Sequence, residues 1–356
     1  MDLQGLKYIV VGAGITGLTV AERIANDLRK DVVVLEKRSH IGGNCYSYTD
    51  KDTGIEVHKY GTHVFHTSKD RVWGYMNIFG NFSTYQHKVF SEHKNRIYSM
   101  PINLSTINYF FGSNLTPMNA RKEIKKYLPP LYEAFYKGYT FKQWGIGLSG
   151  LPADIFKRLP VRTNYNNNYF DDKYQGLPTC GYSNFFSRML MNKHIALHLQ
   201  TDFFEIKKYI PKDCLVIYTG PMDRYFNYKY GFLDWRTVSF DERVYDVEDF
   251  QGTSVMNYPD TSVPWIRSHE FKHLYPDRDQ NKKKTVVFWE YSKKANKGDE
   301  VFYPVNNGNH KIVDKYNNEI KKTKNVLFCG RLAKFKYFDM DDCVDDALEA
   351  YYEKIK

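Results

Sequence analysis

Three glycines near the start of the chain, with an acidic residue after them, have the spacing of a phosphate-binding turn. Gly12, Gly14 and Gly17 form a GxGxxG pattern. In such a turn the first glycine permits a tight bend, the second lets the backbone approach a pyrophosphate, and the third lets a helix pack closely on a strand. Glu36 follows Gly17 by nineteen residues, where a carboxylate can accept hydrogen bonds from ribose hydroxyls. These residues in this order indicate a dinucleotide site.

The elements that must position such a site lie on both sides of the glycines. The apolar runs at 8–11 and 32–35 predict two buried parallel strands. Apolar residues recur between them at helical spacing: Leu18, Ala21, Ile24, Ala25 and Leu28. A helix that begins at the turn directs its unpaired N–H groups at the phosphates. A flexible glycine loop is the alternative, because GxGxxG alone is weak evidence.

A second glycine pair bears on which dinucleotide binds. Gly42 and Gly43 follow Arg38 and precede Asn44. A pair just past the acidic residue is typical of flavoproteins, which favours FAD over NAD by resemblance and not by a physical argument. An ordinary turn is the alternative, because Gly-Gly and Gly-Asn are common turn formers.

The segment 58–67 gathers three histidines and several aromatic residues around Gly61. Histidines this close could form a metal site, but no carboxylate or cysteine has the matching spacing. Gly61 with His63 better suits a backbone and an imidazole that lie against a flat ring. We therefore expect no metal here.

Aromatic residues and arginines are concentrated in the middle of the chain. Four aromatics precede Trp144 within 135–145, and Arg158, Arg162 and Tyr169 follow. The aromatics alone could be core. Together with arginine they suggest a stacked base with a phosphate nearby.

The composition excludes some partners and favours one compartment. A net charge of +10 over 356 residues could serve nucleic acid, a membrane surface or an anionic small molecule. The lysines are scattered, however, and the densest run, 282–284, lies beside Asp277 and Asp279, so we expect a solvated face and no nucleic acid. Five cysteines without a CxxC suit a reducing cytosol. With no span-length apolar stretch and no signal peptide, we expect a cytoplasmic protein.

Later patterns return the chain to the fold that it began, which makes the dinucleotide domain discontinuous. Pro129 and Pro130 interrupt one helical pattern and predict a break or a helix start there. The patterns predict helices over 69–79, 118–137 and 340–352, a pair of strands within 89–100, and strands over 216–221, 286–289 and 326–331.

The motifs taken together resemble those of bacterial UDP-galactopyranose mutases along nearly the whole chain. They stand in family order as GAGITG, EKRSHIGGN, HKYGTHVFHT, GYTFKQWG, RLPVR, NNNYFDDKYQG, YTGPMDRYF, YPVN and GRLAKFKYFDM. The resemblance implies an α/β fold in which a Rossmann-like FAD-binding domain carries an inserted helical domain and an antiparallel-sheet substrate domain. The expected divisions are the FAD-binding domain, first part (1–68), a mainly helical inserted domain with uridine-contacting residues (69–150), a substrate and sheet region with a mobile loop (151–210), an FAD-domain return segment (211–235), a sheet domain (236–310) and the FAD-binding domain, last part (311–356).

The family implies interconversion of UDP-galactopyranose and UDP-galactofuranose without net redox change, for cell-surface glycans of a wall or capsule. FAD is active when reduced, by an external reductant such as NAD(P)H. In that scheme the flavin N5 attacks the anomeric carbon, UDP leaves, and the sugar opens through an iminium before reclosing on a different hydroxyl. The assembly implied is a homodimer.

The resemblance also assigns roles, residue by residue. Arg158 and Arg267 look like diphosphate clamps whose permanent charges offset that of the leaving group, and His63 lies against the isoalloxazine; these three are the expected catalytic residues. The other expected substrate-binding residues are Phe135, Tyr139, Thr140 and Trp144 at the uridine end, with Tyr169, Asn257, Tyr303 and Tyr337 toward phosphate or sugar. The expected cofactor-binding residues are Gly12, Gly14, Thr16, Gly17, Glu36, Lys37, Arg38, Gly43, Asn44, Gly61, His63, Gly330, Arg331, Asp339 and Met340.

Three departures from the family pattern keep alternatives open. Thr62 stands where members often have alanine or proline, and Lys59 lies beside the flavin loop at a variable position, which leaves UDP-N-acetylgalactosamine open as the substrate. Cys180 replaces a small residue and has no assigned role. An amine-oxidase-type flavin oxidoreductase shares the glycine turn but has little need for two diphosphate clamps. A sensor that binds flavin or nucleotide without turnover is the third hypothesis.

Overall fold

The computed structural model describes residues 5–147, 150, 160–305 and 310–356. The strands, in chain order, are β1 (Tyr8–Val11), β2 (Val32–Leu35), β3 (Ser47–Thr49), β4 (Glu56–His58), β5 (Phe65–Thr67), β6 (Val89–His93), β7 (Arg96–Met100), β8 (Tyr174–Gly176), β9 (Ile195–His198), β10 (Leu215–Tyr218), β11 (Trp235–Tyr245), β12 (Val255–Asn257), β13 (Arg267–Glu270), β14 (Thr285–Lys294), β15 (Tyr303–Pro304) and β16 (Val326–Phe328). The α-helices are α1 (Ile15–Arg23), α2 (Asp70–Met76), α3 (Leu104–Phe111), α4 (Pro117–Tyr132), α5 (Gly138–Trp144), α6 (Tyr182–Met189), α7 (Phe203–Ile206), α8 (Met222–Tyr225), α9 (His310–Lys322) and α10 (Met340–Lys354).

A five-stranded parallel sheet forms the first half of the molecule. Its order is β16-β10-β1-β2-β9, with Ile9 of β1 paired to Val33 on one side and Val216 on the other. The two strands predicted around the glycine turn are confirmed, and so is the return of later segments to the same sheet. β9, from the region expected to serve the substrate, adds a fifth strand beside β2.

Helix α1 forms because an apolar face follows the glycine turn. Leu18 and Ala21 of α1, and Ile24 and Ala25 of the π-helical turn that continues it, are at most 1% exposed, as the helical spacing predicts. The first helix packs on the last one, α10, within one hydrophobic core. N- and C-terminal segments are therefore parts of one Rossmann-like layer.

A seven-stranded sheet forms the second half, in the order β15-β11-β14-β13-β12-β6-β7. Every pairing is antiparallel except that of β12 with β6, which is parallel. The long pair β11 and β14 is in register from Arg236 opposite Lys294 to Tyr245 opposite Thr285. The hairpin β6–β7 belongs to this sheet, although it comes from the segment expected to be mainly helical.

Helices α3, α4 and α5 cover one end of this sheet. Pro129 and Pro130 lie inside α4, so the prediction of a break or a helix start there is wrong. The helix continues because residues on both sides of the prolines, Tyr127, Leu131 and Phe135, are buried in one core. That burial offsets the hydrogen bonds that the prolines cannot donate.

Candidate active site

The glycine turn has no room for side chains at two of its positions. A Cβ on Gly17 would lie 2.0 Å from the Gly12 carbonyl oxygen, and Gly12 itself has φ +105° with Thr219 Oγ1 2.3 Å from its Cβ position. Gly14 is the N-cap of α1. The limit at Gly17 comes from the backbone and that at Gly12 from its φ and the Thr219 side chain, and the turn brings the α1 N-terminus to the carboxyl edge of the parallel sheet.

A cavity of about 810 Å³ lies at this edge. Most of the residues expected to bind a cofactor line it: Gly12, Gly14, Thr16, Glu36, Lys37, Arg38, Gly43, Asn44, His63, Arg331 and Met340. Gly17 and Gly330 lie behind the wall, where a Cβ on Gly330 would lie 2.7 Å from Thr16 Oγ1. Gly61 and Asp339 line the neighbouring cavity instead. We call the cavity of about 810 Å³ the dinucleotide cavity.

Glu36 is held in place by backbone donors. Its Oε2 accepts from the Ala13 N–H at 2.8 Å and its Oε1 from the Arg38 N–H at 2.9 Å. Each carboxylate oxygen has a second acceptor site, so Glu36 can still accept a ribose hydroxyl. The glycine cradle and this acceptor fit a dinucleotide.

Sequence reasoning missed several residues of this cavity, among them the charged residues Asp202, Asp223, Arg224 and Glu300. Glu300 has the clearest contacts. Its carboxylate pairs with Arg38 at 2.8 Å and lies 3.7 Å from Lys37 Nζ. Arg38 also donates to Asn44 Oδ1 at 3.0 Å and lies over the Tyr60 ring. The contact joins segments 262 residues apart, and no local pattern could have indicated it.

A second cavity, of about 540 Å³, adjoins the first. Asn44, His63, Phe302, Arg331 and Met340 line both spaces. The second cavity also contains the expected substrate residues that the structure describes: Phe135, Tyr139, Thr140, Trp144, Tyr169, Asn257, Arg267, Tyr303 and Tyr337. Arg158 lies outside the described residues. We call this space the substrate cavity.

His63 lies where the two cavities meet. Its Nδ1 is 2.8 Å from the Gly61 carbonyl oxygen, and because a carbonyl only accepts, Nδ1 carries the proton and Nε2 does not. The backbone N–H of His63 donates to His58 Nδ1 at 3.1 Å. Burial lowers the pKa of His63 to about 4. The ring is thus neutral near pH 7.

The aromatic end of the substrate cavity is formed by α5 and the turn before it. Trp144 has Tyr303 and Tyr337 within 5.2 Å, centroid to centroid. The Tyr303 hydroxyl donates to the Gln143 carbonyl at 3.1 Å. Phe135 packs on Tyr98 in the helical core and also lines the cavity, so its contact with a base stays a prediction.

Three adjacent strands place a polar row on the wall of the substrate cavity. Asn257, Arg267 and Glu290 stand opposite one another on β12, β13 and β14. Burial alone would raise the pKa of Glu290, but Arg267 and the neighbouring His269 hold it down at about 2. Burial alone would lower the pKa of Arg267, but the charge of Glu290 holds it well above its ordinary value. Both partners are ionised near pH 7.

Arg162 and the loop after it close another side of the substrate cavity. Arg162 Nη2 pairs with Asp171 Oδ2 at 2.6 Å. His66 stacks on Phe170 at 3.7 Å and pairs with Asp172 Oδ2 at 2.8 Å. The loop is therefore attached to the glycine and histidine segment by side chains.

Arg331 and Asp339 connect the cavities to the last helix. Arg331 Nε donates to the Phe338 carbonyl at 2.7 Å. Asp339 caps α10 with a reciprocal contact from Asp342, which directs the helix N-terminus toward the cavity wall that Met340 shares.

Among the residues that the structure describes, one group of side chains has spacing suitable for a metal. Asp249, Glu270 and His273 bring one ligand atom each within 4.8 Å of the others. Both Glu270 oxygens already accept backbone N–H bonds, from Phe250 and Gln251, so this carboxylate serves the local fold.

No described helix is long and apolar enough to cross a bilayer.

The dinucleotide cavity adjoins a cavity that is lined by aromatic residues and an ion-paired arginine. This arrangement defines an enzyme that binds a nucleotide cofactor and holds its substrate next to that cofactor. The fold alone does not fix the reaction. An oxidoreductase from Methanosarcina mazei aligns with a TM-score of 0.58 at 12% identity over 98% of this chain and all of its own. A reduced UDP-galactopyranose mutase aligns with a TM-score of 0.71 at 14% identity over 99% and 96%.

Sequence comparison is more specific than the fold. A family model for UDP-galactopyranose mutase matches residues 134–337, and one for an NAD(P)-binding Rossmann-like domain matches 10–79. A dTDP-fucopyranose mutase of Escherichia coli is 36% identical over 98% of both chains. A Klebsiella pneumoniae protein named "Probable UDP-galactopyranose mutase" is 37% identical over 98% of this chain and 94% of its own.

The chain belongs to the UDP-galactopyranose mutase family, which confirms the resemblance seen in the motifs. It is therefore an isomerase, and the family together with the Rossmann-like domain implies a flavin cofactor. The comparisons favour this assignment over the amine-oxidase and sensor hypotheses.

Proposed function

We propose that the protein converts UDP-galactopyranose into UDP-galactofuranose with FAD in its reduced form. The observation that carries the proposal is the shared wall of the two cavities at His63, Phe302 and Arg331. A nucleotide sugar in one cavity then meets a flavin in the other without crossing solvent. A reduced flavin bound there supplies a nucleophilic nitrogen for the anomeric carbon.

FAD fits the residues of the dinucleotide cavity. Gly12, Gly14 and Gly43 leave space for the pyrophosphate, and Glu36 accepts from the ribose. Lys37 and Arg38 lie at the ribose end of the same wall. Toward the ring, the residues proposed to hold the flavin are Asn44, Gly61, His63, Arg331, Asp339 and Met340.

The substrate cavity is suited to a nucleoside diphosphate sugar. Phe135, Tyr139 and Trp144 offer aromatic faces for the base. Arg267 offers a charge to the diphosphate, which gains negative charge as the bond to the sugar breaks. Further contacts are proposed for Thr140 near the base and for Tyr169, Asn257, Tyr303 and Tyr337 along the phosphates and sugar. Arg158 is proposed as the second clamp on the family pattern alone.

Neutral His63 holds a lone pair at Nε2 where the cavities meet, because Nδ1 is committed to the Gly61 carbonyl. We propose that this nitrogen accepts a hydrogen bond from the sugar or the flavin. That bond would orient the bound group against the uncharged imidazole. A neutral imidazole avoids repulsion with Arg331, which lines the same junction.

A second candidate substrate, a dTDP-6-deoxysugar, is favoured by one observation. The E. coli relative named dTDP-fucopyranose mutase is 36% identical, against 37% for the Klebsiella relative, so identity does not separate the two substrates. UDP-N-acetylgalactosamine is a third candidate because Thr62 departs from the family pattern.

The finer properties of the enzyme are also proposals. We propose a cytoplasmic homodimer reduced by NAD(P)H, whose product enters a wall or capsule glycan. The five cysteines are all unpaired, which is in keeping with a reducing compartment.

A comparison of three substrates tests the function. Protein reconstituted with FAD and reduced with dithionite is incubated separately with UDP-galactose, UDP-N-acetylgalactosamine and dTDP-fucose, and furanose products are separated by chromatography. We expect furanose from UDP-galactose and none from unreduced enzyme. Faster turnover of dTDP-fucose would reassign the substrate, and no furanose from any of the three would refute the mutase.

A further inference from the structure

The wall of the substrate cavity contains a hydrogen-bonded chain that the family resemblance did not assign. Arg267 and His269 are two residues apart on β13 and therefore face the same side of the sheet. Glu290 stands opposite Arg267 on β14. All three side chains line the substrate cavity, together with Thr62.

Glu290 divides its two oxygens between two donors. Its Oε1 accepts from Arg267 Nη2 at 2.7 Å, and its Oε2 lies 2.7 Å from His269 Nε2. An isolated arginine–carboxylate pair tends instead to form two parallel bonds, from Nε and Nη2 to the two oxygens. Here the second of those bonds is not made.

Thr62 fixes which nitrogen of His269 carries the proton. The Thr62 backbone N–H can only donate, and it lies 3.3 Å from His269 Nδ1. Thr62 Oγ1 lies 2.9 Å from the same nitrogen. Nδ1 is therefore the acceptor, and Nε2 carries the hydrogen that is donated to Glu290. Burial also lowers the pKa of His269, so the ring acts as a neutral donor.

The consequence appears on Arg267. Its Nε is buried and has no hydrogen-bond partner within the part of the chain that the structure describes. A buried, charged N–H without a partner costs free energy unless a ligand satisfies it. Arg267 lines the substrate cavity, and an anionic oxygen is the matching acceptor for its Nε–H.

We propose that His269 is a positioning residue, which by holding Glu290 Oε2 keeps the Nε–H of Arg267 available for a diphosphate oxygen, and that Thr62 sets the tautomer in which His269 does so. This rests on the proposed function for the identity of the anion. It gives the departure at Thr62 a role toward His269 that is separate from the choice of sugar.

The test compares UDP with uridine as ligands of the FAD-reconstituted protein, by calorimetry. His269→Phe keeps the packing of the ring against Phe271 and Phe240 but removes the donor, so Glu290 is free to take both N–H groups of Arg267. We expect UDP to bind about tenfold to a hundredfold more weakly and uridine to change by no more than about twofold. His269→Gln, which can donate to Glu290, should recover part of the UDP affinity.

Three further variants separate positioning from packing. Thr62→Val removes the hydroxyl but keeps the backbone N–H that holds Nδ1 as the acceptor, so UDP affinity should fall by no more than about twofold, and Thr62→Ser should match wild type. In an Arg267→Ala background, His269→Phe should have no further effect on UDP. Equal losses for uridine and UDP, or an additive effect in that double variant, would overturn the proposal.

UDP binding can be measured without turnover. The positioning role of His269 and the mutase activity can therefore be refuted independently. A UDP-specific loss in a protein that makes no furanose would keep the positioning role and reject the mutase. Normal furanose production with unchanged UDP affinity in His269→Phe would do the reverse. If His269→Phe does not retain flavin, His269→Leu and His269→Gln decide the question, because of the two only glutamine can donate to Glu290.

Discussion

The two cavities are built in different ways. The dinucleotide cavity takes its glycine-lined side from one stretch, Val11 to Cys45, in which glycines and backbone N–H groups shape the wall, and later segments supply the rest of its lining. The substrate cavity comes from side chains on α5, β12, β13, β14 and the loop before β5. A site shaped by backbone needs a few glycine positions to carry no side chain. A site shaped by side chains needs distant strands to pair in the correct register. A single substitution at such a glycine should therefore abolish binding in the dinucleotide cavity, whereas substitutions in the substrate cavity should each reduce activity in part.

The largest expected effect is on the backbone-built site. Gly17→Ala places a Cβ 2.0 Å from the Gly12 carbonyl oxygen, so α1 must move from the sheet. We expect a loss of at least about 3 kcal/mol in stability and purification without flavin. Flavin absorbance and a denaturant melt measure both.

The matched control for Gly17→Ala is another helical glycine. A Cβ on Gly74 of α2 would meet nothing within 4 Å, so Gly74→Ala should be neutral or stabilising, by up to about 1 kcal/mol. Normal flavin content in Gly17→Ala would show that the cavity does not depend on close helix packing.

This contrast also explains what the sequence could predict. The strands around Gly12, helix α1 and the acidic residue Glu36 are local patterns, and each was predicted in place. The row formed by Asn257, Arg267 and Glu290 depends on which strands become neighbours, which no local pattern encodes. The roles of Arg267 and Asn257 were expected from resemblance, whereas Glu290 and His269 were not found at all.

Pro129 and Pro130 show the same limit from the opposite side. Local propensity predicted a break, but burial on both sides of the prolines keeps α4 continuous. Only the pairing of distant segments could have shown that this surface is covered.

The side-chain site should be most sensitive at Arg267. Arg267→Ala removes the proposed charge toward the diphosphate and leaves Glu290 buried with His269 alone. We expect kcat/KM to fall about a hundredfold to a thousandfold, or about 3 to 4 kcal/mol. Steady-state kinetics with UDP-galactofuranose measure this loss.

Two controls accompany Arg267→Ala. Arg243 pairs with Asp241 on the exposed end of β11, and Arg243→Ala should leave kcat/KM unchanged. Arg267→Lys keeps the charge but loses the planar fork, so an intermediate loss is expected. Full activity in Arg267→Ala would remove the arginine from the clamp.

A smaller effect should appear as acid sensitivity. Burial lowers the pKa of His87, on the wall of the substrate cavity, to about 3, against about 6.5 in an unfolded chain. Between these values the unfolded state binds the proton and the folded state does not. Stability therefore falls as pH decreases from 6.5, by up to about 1.4 kcal/mol per pH unit. His87→Phe should lose that part of the slope, about 2 kcal/mol at pH 5.

His273 provides the control of opposite sign. Burial opposes its charge, but Glu270 and Asp249 raise its pKa. Its contribution to stability is complete below pH 6.5 and is lost as pH rises through the raised pKa. His273→Gln should therefore destabilise most in acid. Parallel melts of both variants from pH 5 to 8 should diverge, and curves parallel to wild type for His87→Phe would refute the buried neutral ring.

The smallest expected effect is at a side-chain contact in the dinucleotide cavity. Glu300 comes from the loop between β14 and β15 and pairs with Arg38 of the dinucleotide cavity. Because the carboxylate is 39% exposed, the pair is worth only about 0.5 to 1 kcal/mol. Glu300→Gln should weaken flavin binding about two- to fivefold, as measured by fluorescence titration of apoprotein.

The control for Glu300→Gln is an exposed pair away from both cavities. Asp213 pairs with Lys7, the residue before β1, with both side chains more than 60% exposed, and Asp213→Asn should not change flavin affinity. A loss in Glu300→Gln that disappears at 1 M salt would mark the contact as electrostatic, since charges are screened within about 3 Å there. A loss that persists would mean that Glu300 holds Arg38 by shape, which would make this part of the dinucleotide cavity a side-chain site like its neighbour.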